Sequence, residues 1–343
     1  MKINSVNLLL VALILFGVTA FNFPEPFVWL LGDRLSILIG VTMFFIGAML
    51  TTQQVDGVIQ RWPTVLGGTA IQYALMPLIC FVVAKGMGAT GDTLVGLMIV
   101  GCVPGAMASN VLTMTAGGNT SYSVSLTTSA TVLSPFIVPL TLGLTLSQSE
   151  TIKVDIAGTF VNLLLTVLLP VVAGHLTRRF VPQSAQLFKM ISPWIANIAI
   201  LLIIAFVVAK FADKLQMHLV QLFVPLLLIN SLGYAGGYFG GKLLGISESM
   251  RRALTLEVGM QNAGLGVALA AGQFKNNPGA SVAPAVYVFL CMLTGTLLAA
   301  YWRNFDPLDE EPDDKPFDVP PNEQTSPKDT GAPKDTGSPK DTG

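Results

Sequence analysis

Charge is scarce in this chain. Its 343 residues hold 19 Lys and Arg and 20 Asp and Glu, 11% of the whole, where a soluble domain carries about 25%. That shortage excludes an ordinary water-exposed globule. The charges nearly cancel, to a formal −1, so nothing in the net charge points to a nucleic-acid partner. Cysteine is also rare. Cys80, Cys102 and Cys291 are odd in number and each lies inside an apolar run. They fit neither a disulfide framework nor a metal motif and read as small packing residues. The two histidines, His175 and His218, sit near the ends of such runs and read as interfacial groups.

What the chain has in abundance is uninterrupted hydrophobicity. Apolar residues make up 52% of it. They form run after run of about 20 residues, the length that crosses a bilayer as a helix. The runs do not alternate with period two, which excludes a membrane barrel. The expected fold class is therefore an all-α membrane protein. Ten candidate spans can be drawn, at about 5–22, 35–54, 64–85, 93–117, 121–146, 154–177, 190–210, 219–244, 250–273 and 280–302. Most connecting islands carry Gly, Pro, Asn or Asp where a helix should stop. The first run ends in "GVTAF", so Val18 and Ala20 also permit a cleaved leader. An uncleaved span suits the charge pattern better.

With the N-terminus in the cytoplasm, the inner side holds Lys2, Arg61, Arg178, Arg179, Lys189, Lys242, Arg251, Arg252 and Arg303. The outer side holds Arg34, Lys85, Lys153, Lys210, Lys214 and Lys275. The excess of basic residues inside places both termini in the cytoplasm. From about Asp306 the chain becomes acidic and proline-rich, then repeats "PKDTG" three times. Such a segment cannot bury enough apolar surface to fold. Residues 306–343 are expected to be a disordered cytoplasmic tail, and 1–305 the transmembrane domain.

Two spans are not plain helices. The fourth, "LVGLMIVGCVPGAMASNVLTMTAGG", carries Pro104–Gly105 at its middle, followed by Ser109 and Asn110. The ninth contains "LTLEVGMQNAGLGVALA", with Glu257, Gln261 and Asn262 among Gly259, Gly264 and Gly266. Broken backbone is tolerated at membrane depth only where protein buries it or it lines a cavity. A pair of interrupted spans in matching places of two halves points to a transporter site. Ten spans then read as an inverted five-plus-five repeat. An ionised Glu257 needs a partner, and no Lys or Arg lies deep in a span. A hard cation such as Na⁺, which prefers oxygen, could supply the charge. Gln72, Ser109, Asn110, Ser123 and Thr127 are candidate ligands; Ser123 and Thr127 share one helix face. The glycines Gly233, Gly237 and Gly241, four apart, read as a close-packing stripe.

The motifs "IQYALMPL", "VGCVPGAMASNVLT", "GNTSYSVSLTTSATVLSPF" and "EVGMQNAGLGVALA" together resemble the bile acid:sodium symporter family, in particular its bacterial ten-helix members. The resemblance covers residues 1–305. It implies a panel of helices 1, 2, 6 and 7 and a core of helices 3–5 and 8–10, with helices 4 and 9 crossing near the membrane centre. It implies two sodium sites: one of Ser109, Asn110, Ser123, Thr127 and Glu257, the other of Gln72, Glu257 and Gln261 with the carbonyls of Val258 and Met260. Substrate would lie between core and panel, with Asn262, Met107 and Asn110 facing it. Met107 departs from the family, being bulky where small or hydroxyl residues stand. The implied activity is import of an organic anion, bile-acid-like or a small acid such as pantoate, across a bacterial inner membrane by alternating access. A proton-coupled carrier and a non-transporting receptor are the rival readings. An enzyme is not expected, because no second catalytic group joins Glu257.

Overall fold

The computed structural model describes residues 5–29, 33–147, 152–181, 183 and 185–304; the tail beyond 304, Lys2 and the side chain of His218 lie outside them. Among the described residues every regular element is helical. The helices are α1 (Ser5–Asn22), α2 (Glu25–Val28), α3 (Asp33–Met49), α4 (Thr52–Gln60), α5 (Trp62–Gly86), α6 (Gly91–Cys102), α7 (Ala108–Thr115) and α8 (Thr120–Leu146). There follow α9 (Ile156–Leu163), a π-helical stretch (Leu164–Leu168), α10 (Leu169–Phe180), α11 (Ala185–Lys210) and α12 (Ala212–Leu243). Last come α13 (Glu248–Gly259), α14 (Ala263–Gln273), a short 3₁₀ turn (Pro278–Ser281) and α15 (Val282–Arg303). Among the described residues, six helices are long and apolar enough to cross a membrane, or seven if the bent pair α3–α4 is one span. Val11–Asn22, Gly91–Cys102 and Ala263–Gln273 are shorter apolar helices. The chain is a helical membrane protein.

The expected second span ran through to residue 54, but α3 stops at Met49 and α4 leaves at 77°. The local chemistry explains the break. Thr51 and Gln54 form a reciprocal capping box, Gln54 N–H to Thr51 Oγ1 at 3.2 Å and Thr51 N–H to Gln54 Oε1 at 2.9 Å. The last carbonyls of α3 are taken from α10. Arg178 donates to Met49 O at 2.7 Å and Ala48 O at 3.2 Å, and His175 Nδ1 lies 3.1 Å from Leu50 O. The α3–α10 crossing is close enough to require glycine on both sides: a Cβ on Gly47 would fall on Val171 O, and one on Gly174 on Phe44 O.

Helices α1, α3, α10 and α11 pack mainly on one another, and α5–α8 with α12–α15 form a second assembly. In the second, the glycine stripe of α12 does the packing expected of it. Gly237 would drive a Cβ into Leu254 O and Thr255 of α13, and Gly233 into Met76 of α5. Gly117 ends α7 and Gly245 ends α12, at φ +65° and +67°, a left-handed geometry that glycine adopts without strain.

Two connections tie the broken pairs α6–α7 and α13–α14 to each other at corresponding places, with different chemistry. At the start of α6, Asp92 accepts from Asn277 Nδ2 at 3.1 Å and Gly279 N–H at 2.9 Å. At the start of α13, Ser249 O accepts from Asn119 N–H at 3.0 Å, while Arg252 donates to Ala116 O at 2.8 Å. Arg252 is only 5% exposed. Its charge faces Glu248 at 3.5 Å and its guanidinium lies over Trp302. Arg252 is thus a buried strut that ties the start of α13 to the end of α7 and to α15.

A buried carboxylate at a helix crossing

Helix α6 ends at Cys102 and α7 starts at Ala108, because Pro104 cannot donate a helical hydrogen bond. Helix α13 ends at Gly259 and α14 starts at Ala263. Asn262 caps α14, its Oδ1 accepting from Leu265 N–H at 3.1 Å. The two breaks meet. Gly105 and Gln261 pair as a single antiparallel bridge. Ala106 N–H donates to Met260 O and Asn262 N–H to Pro104 O, both at 2.7 Å. Each break therefore satisfies backbone groups that the other exposes, which an apolar surrounding requires.

Glu257 stands one turn before its break, fully buried. Ser109 Oγ donates to Glu257 Oε2 at 2.6 Å and Thr127 Oγ1 to the same oxygen at 2.7 Å. Ser123 Oγ donates to Asn110 Oδ1 at 2.8 Å, and Thr127 Oγ1 lies 3.3 Å from that oxygen. Ser109, Asn110, Ser123, Thr127 and Glu257, drawn from α7, α8 and α13, thus form one contiguous cluster of oxygen atoms. Glu257 Oε1 has no hydrogen-bond partner, and Glu257 has no ion pair with any described residue. An isolated buried carboxylate costs several kcal/mol, so this oxygen calls for a positive charge. It faces Gly105, where a Cβ would occupy the same space.

On the other side of the break, Gln261 Nε2 donates to Val258 O at 2.6 Å. Gln72 of α5 reaches Gln261 Oε1 only at 3.5 Å, the outer limit of a hydrogen bond. Gln72 is 1% exposed and its Oε1 has no partner. Met260 O accepts the Ala106 N–H and keeps a second lone pair. Two buried oxygens without donors, on Glu257 and Gln72, therefore flank the same turn. The donor set on both sides is oxygen, which suits a hard ion.

Beside this cluster lies a small cavity between α3 and α10 on one side and α7 and α8 on the other. Met107 and Asn110 line it, with Ile46, Leu50 and Val171 opposite. Asn262 is not among its lining residues; its side chain serves as the α14 cap. Thr127, Thr128 and Thr131 of α8 also line it. The last two escaped the sequence reading, although 124, 127, 128 and 131 are the one-face spacing of a helix. Asn110 and Thr127 belong both to the cavity wall and to the Glu257 cluster.

The chain matches the family model described as the sodium bile acid symporter family over residues 36–218. It is 34% identical over 290 residues to the "Uncharacterized sodium-dependent transporter YocS" of Bacillus subtilis, covering 84% of this chain and 88% of that one. It is 31% identical over 284 residues to the "Probable sodium/metabolite cotransporter BASS1, chloroplastic" of Arabidopsis thaliana, covering 83% and 70%. It is 28% identical over 246 residues to the ileal sodium/bile acid cotransporter of Homo sapiens, covering 70% of each. These relatives are transporters by name, not enzymes, and sodium stands in all three names. The match over residues 36–218 and the 34% identity to a sodium-dependent transporter along most of both chains show that this chain belongs to the sodium bile acid symporter family.

Proposed function

We propose that this protein is a sodium-coupled symporter that imports a small organic anion by alternating access. The observation that carries the reading is the buried, unpartnered Oε1 of Glu257. One Na⁺ would be held by Ser109, Asn110, Ser123, Thr127 and Glu257. A second would be held by Gln72, Gln261 and Glu257 with the Val258 and Met260 carbonyls. Glu257 then serves both ions, and each stabilises the meeting of helices from opposite halves.

Coupling follows from Asn110 and Thr127. Both touch the Glu257 cluster and both line the cavity. Sodium that fixes these side chains also fixes the wall that substrate meets. The cavity lies between α3–α10 and α7–α8, so sliding of a panel (α1, α3, α9–α10, α11) past a core (α5–α8, α12–α15) would open it to one side or the other. Two monovalent cations and one carboxylate leave a net positive charge, which suits a monoanion. A bile-acid-like or smaller acid such as pantoate fits that requirement. The ten-span, inverted-repeat reading is supported by the reciprocal bonds at the crossing, where Pro104 and Ala106 relate to Met260 and Asn262 as those do to them. Ties at corresponding places, the starts of α6 and α13, support it further. With the basic residues counted as above, both termini face the cytoplasm of a bacterial inner membrane.

The test is thermal unfolding of detergent-purified protein in sodium against choline at equal ionic strength. An ion that binds only the folded state stabilises it by about 2.7 kcal/mol at a hundredfold excess over Kd. We expect a sodium-specific rise in Tm that saturates. Equal stability in the two salts would remove the coupling ion from this reading and leave the fold untouched.

A further inference from the structure

A second buried polar cluster lies behind the α13 break, among residues that neither the sodium ligands nor the cavity use. Asn230 of α12 is fully buried. Its Nδ2 donates to Gly259 O at 2.8 Å, and Thr294 Oγ1 of α15 stands 2.7 Å from its Oδ1. Tyr287 of α15, also fully buried, donates to the same Gly259 carbonyl at 2.8 Å. Tyr234 of α12 sits 3.2 Å from Thr294 Oγ1 and against Gly259, where a Cβ would enter the Tyr234 ring.

A carbonyl offers two lone pairs, and here two side chains from two helices occupy both. The peptide plane is rigid, so fixing the Gly259 oxygen fixes the Gly259–Met260 plane. That plane lies between Val258 and Met260, the two carbonyls assigned to the second ion, and one residue before Gln261. A helix terminus in an apolar surrounding could satisfy Gly259 O with one donor. Two donors, backed by Thr294 on Asn230, hold its direction as well.

We infer that Asn230, Tyr287 and Thr294 are positioning residues that set the Val258–Gln261 turn for cation binding. The inference rests on the sodium reading above. It assigns the network to one ion only: the second, whose backbone ligands adjoin Gly259. The first, built from side chains of α7 and α8, depends on it solely through Glu257.

The experiment measures Tm against sodium concentration, with choline as balance, for the wild type, Asn230→Ala, Tyr287→Phe, Thr294→Val and Thr294→Ser. In the first three variants the sodium midpoint is expected to rise about three- to tenfold, the equivalent of one hydrogen bond, and the curve to become less steep as one ion weakens. Thr294→Ser keeps the hydroxyl and is expected to keep the wild-type midpoint. A lower Tm in choline with an unchanged sodium midpoint in Tyr287→Phe and Thr294→Val means a merely structural role and overturns the inference. A loss of sodium response in Thr294→Ser as large as in Thr294→Val does the same. A wild type without any sodium response is the separate failure of the parent reading.

Discussion

Glu257→Gln is expected to abolish sodium-driven uptake in proteoliposomes and to be more stable than wild type when sodium is absent. The amide keeps the shape and can still accept from Ser109 and Thr127, whose hydroxyls now meet one carboxylate oxygen at 2.6 and 2.7 Å. What it removes is the unpaired negative charge. Removing one partner of a buried charge pair costs about 3–5 kcal/mol, which is roughly 100- to 4,000-fold in sodium affinity. The two halves of the result check each other. A fall in uptake with a fall in sodium-free stability would indicate general damage. Uptake in Glu257→Gln that still follows sodium would sink the shared-ligand reading. Wild-type uptake driven by a pH gradient without sodium would assign the unpartnered oxygen to a proton.

Gly105→Ala should be nearly as severe, for a steric reason. The added methyl would occupy the space of Glu257 Oε1, and Gly105 is the residue bridged to Gln261. Moving the carboxylate aside would misplace an oxygen that both proposed ions use. Overpacking of a tight site costs about 1–3 kcal/mol, and here it falls on the cation site itself. The expected outcome is a sodium midpoint shifted about tenfold or more, measured by thermal unfolding. Gly86→Ala is the control: nothing lies within 4 Å of its would-be Cβ, and its sodium response should match wild type. Equal behaviour of the two variants would mean that the space beside Glu257 is not needed for the ion.

The breaks between α6 and α7 and between α13 and α14 were legible in sequence because Pro104 and Gly259 act locally; each forbids or loosens a helix by its own chemistry. The clustering of Ser109, Asn110, Ser123, Thr127 and Glu257 was reached through the family resemblance, since their contacts cross 130 residues or more between Thr127 or Ser109 and Glu257. The turn after Met49 is partly legible: "TTQQVDGVIQRWPT" reads as a polar connection although the span is drawn to residue 54, and the capping-box spacing of Thr51 and Gln54 sets where the new helix starts. Asn230 was also a visible signal, a lone amide in "LLLINSLGYAGG", and intramembrane polar residues deserve a functional reading. Its partners could not be read, because Gly259, Tyr287 and Thr294 meet it only through packing of α12, α13 and α15. The π-helical stretch at Leu164–Leu168 has no sequence cue that we can identify.

The three cysteines carry a practical consequence. Cys80, Cys102 and Cys291 are all free and all buried, so a bulky water-soluble thiol reagent meets no native target on the folded chain. The wild-type protein is thus already a silent background for site-directed labelling. Cysteines introduced singly at the exposed Lys85 and Lys242 would report independently in intact cells. With the orientation proposed here, an impermeant maleimide marks the first and spares the second until the membrane is opened.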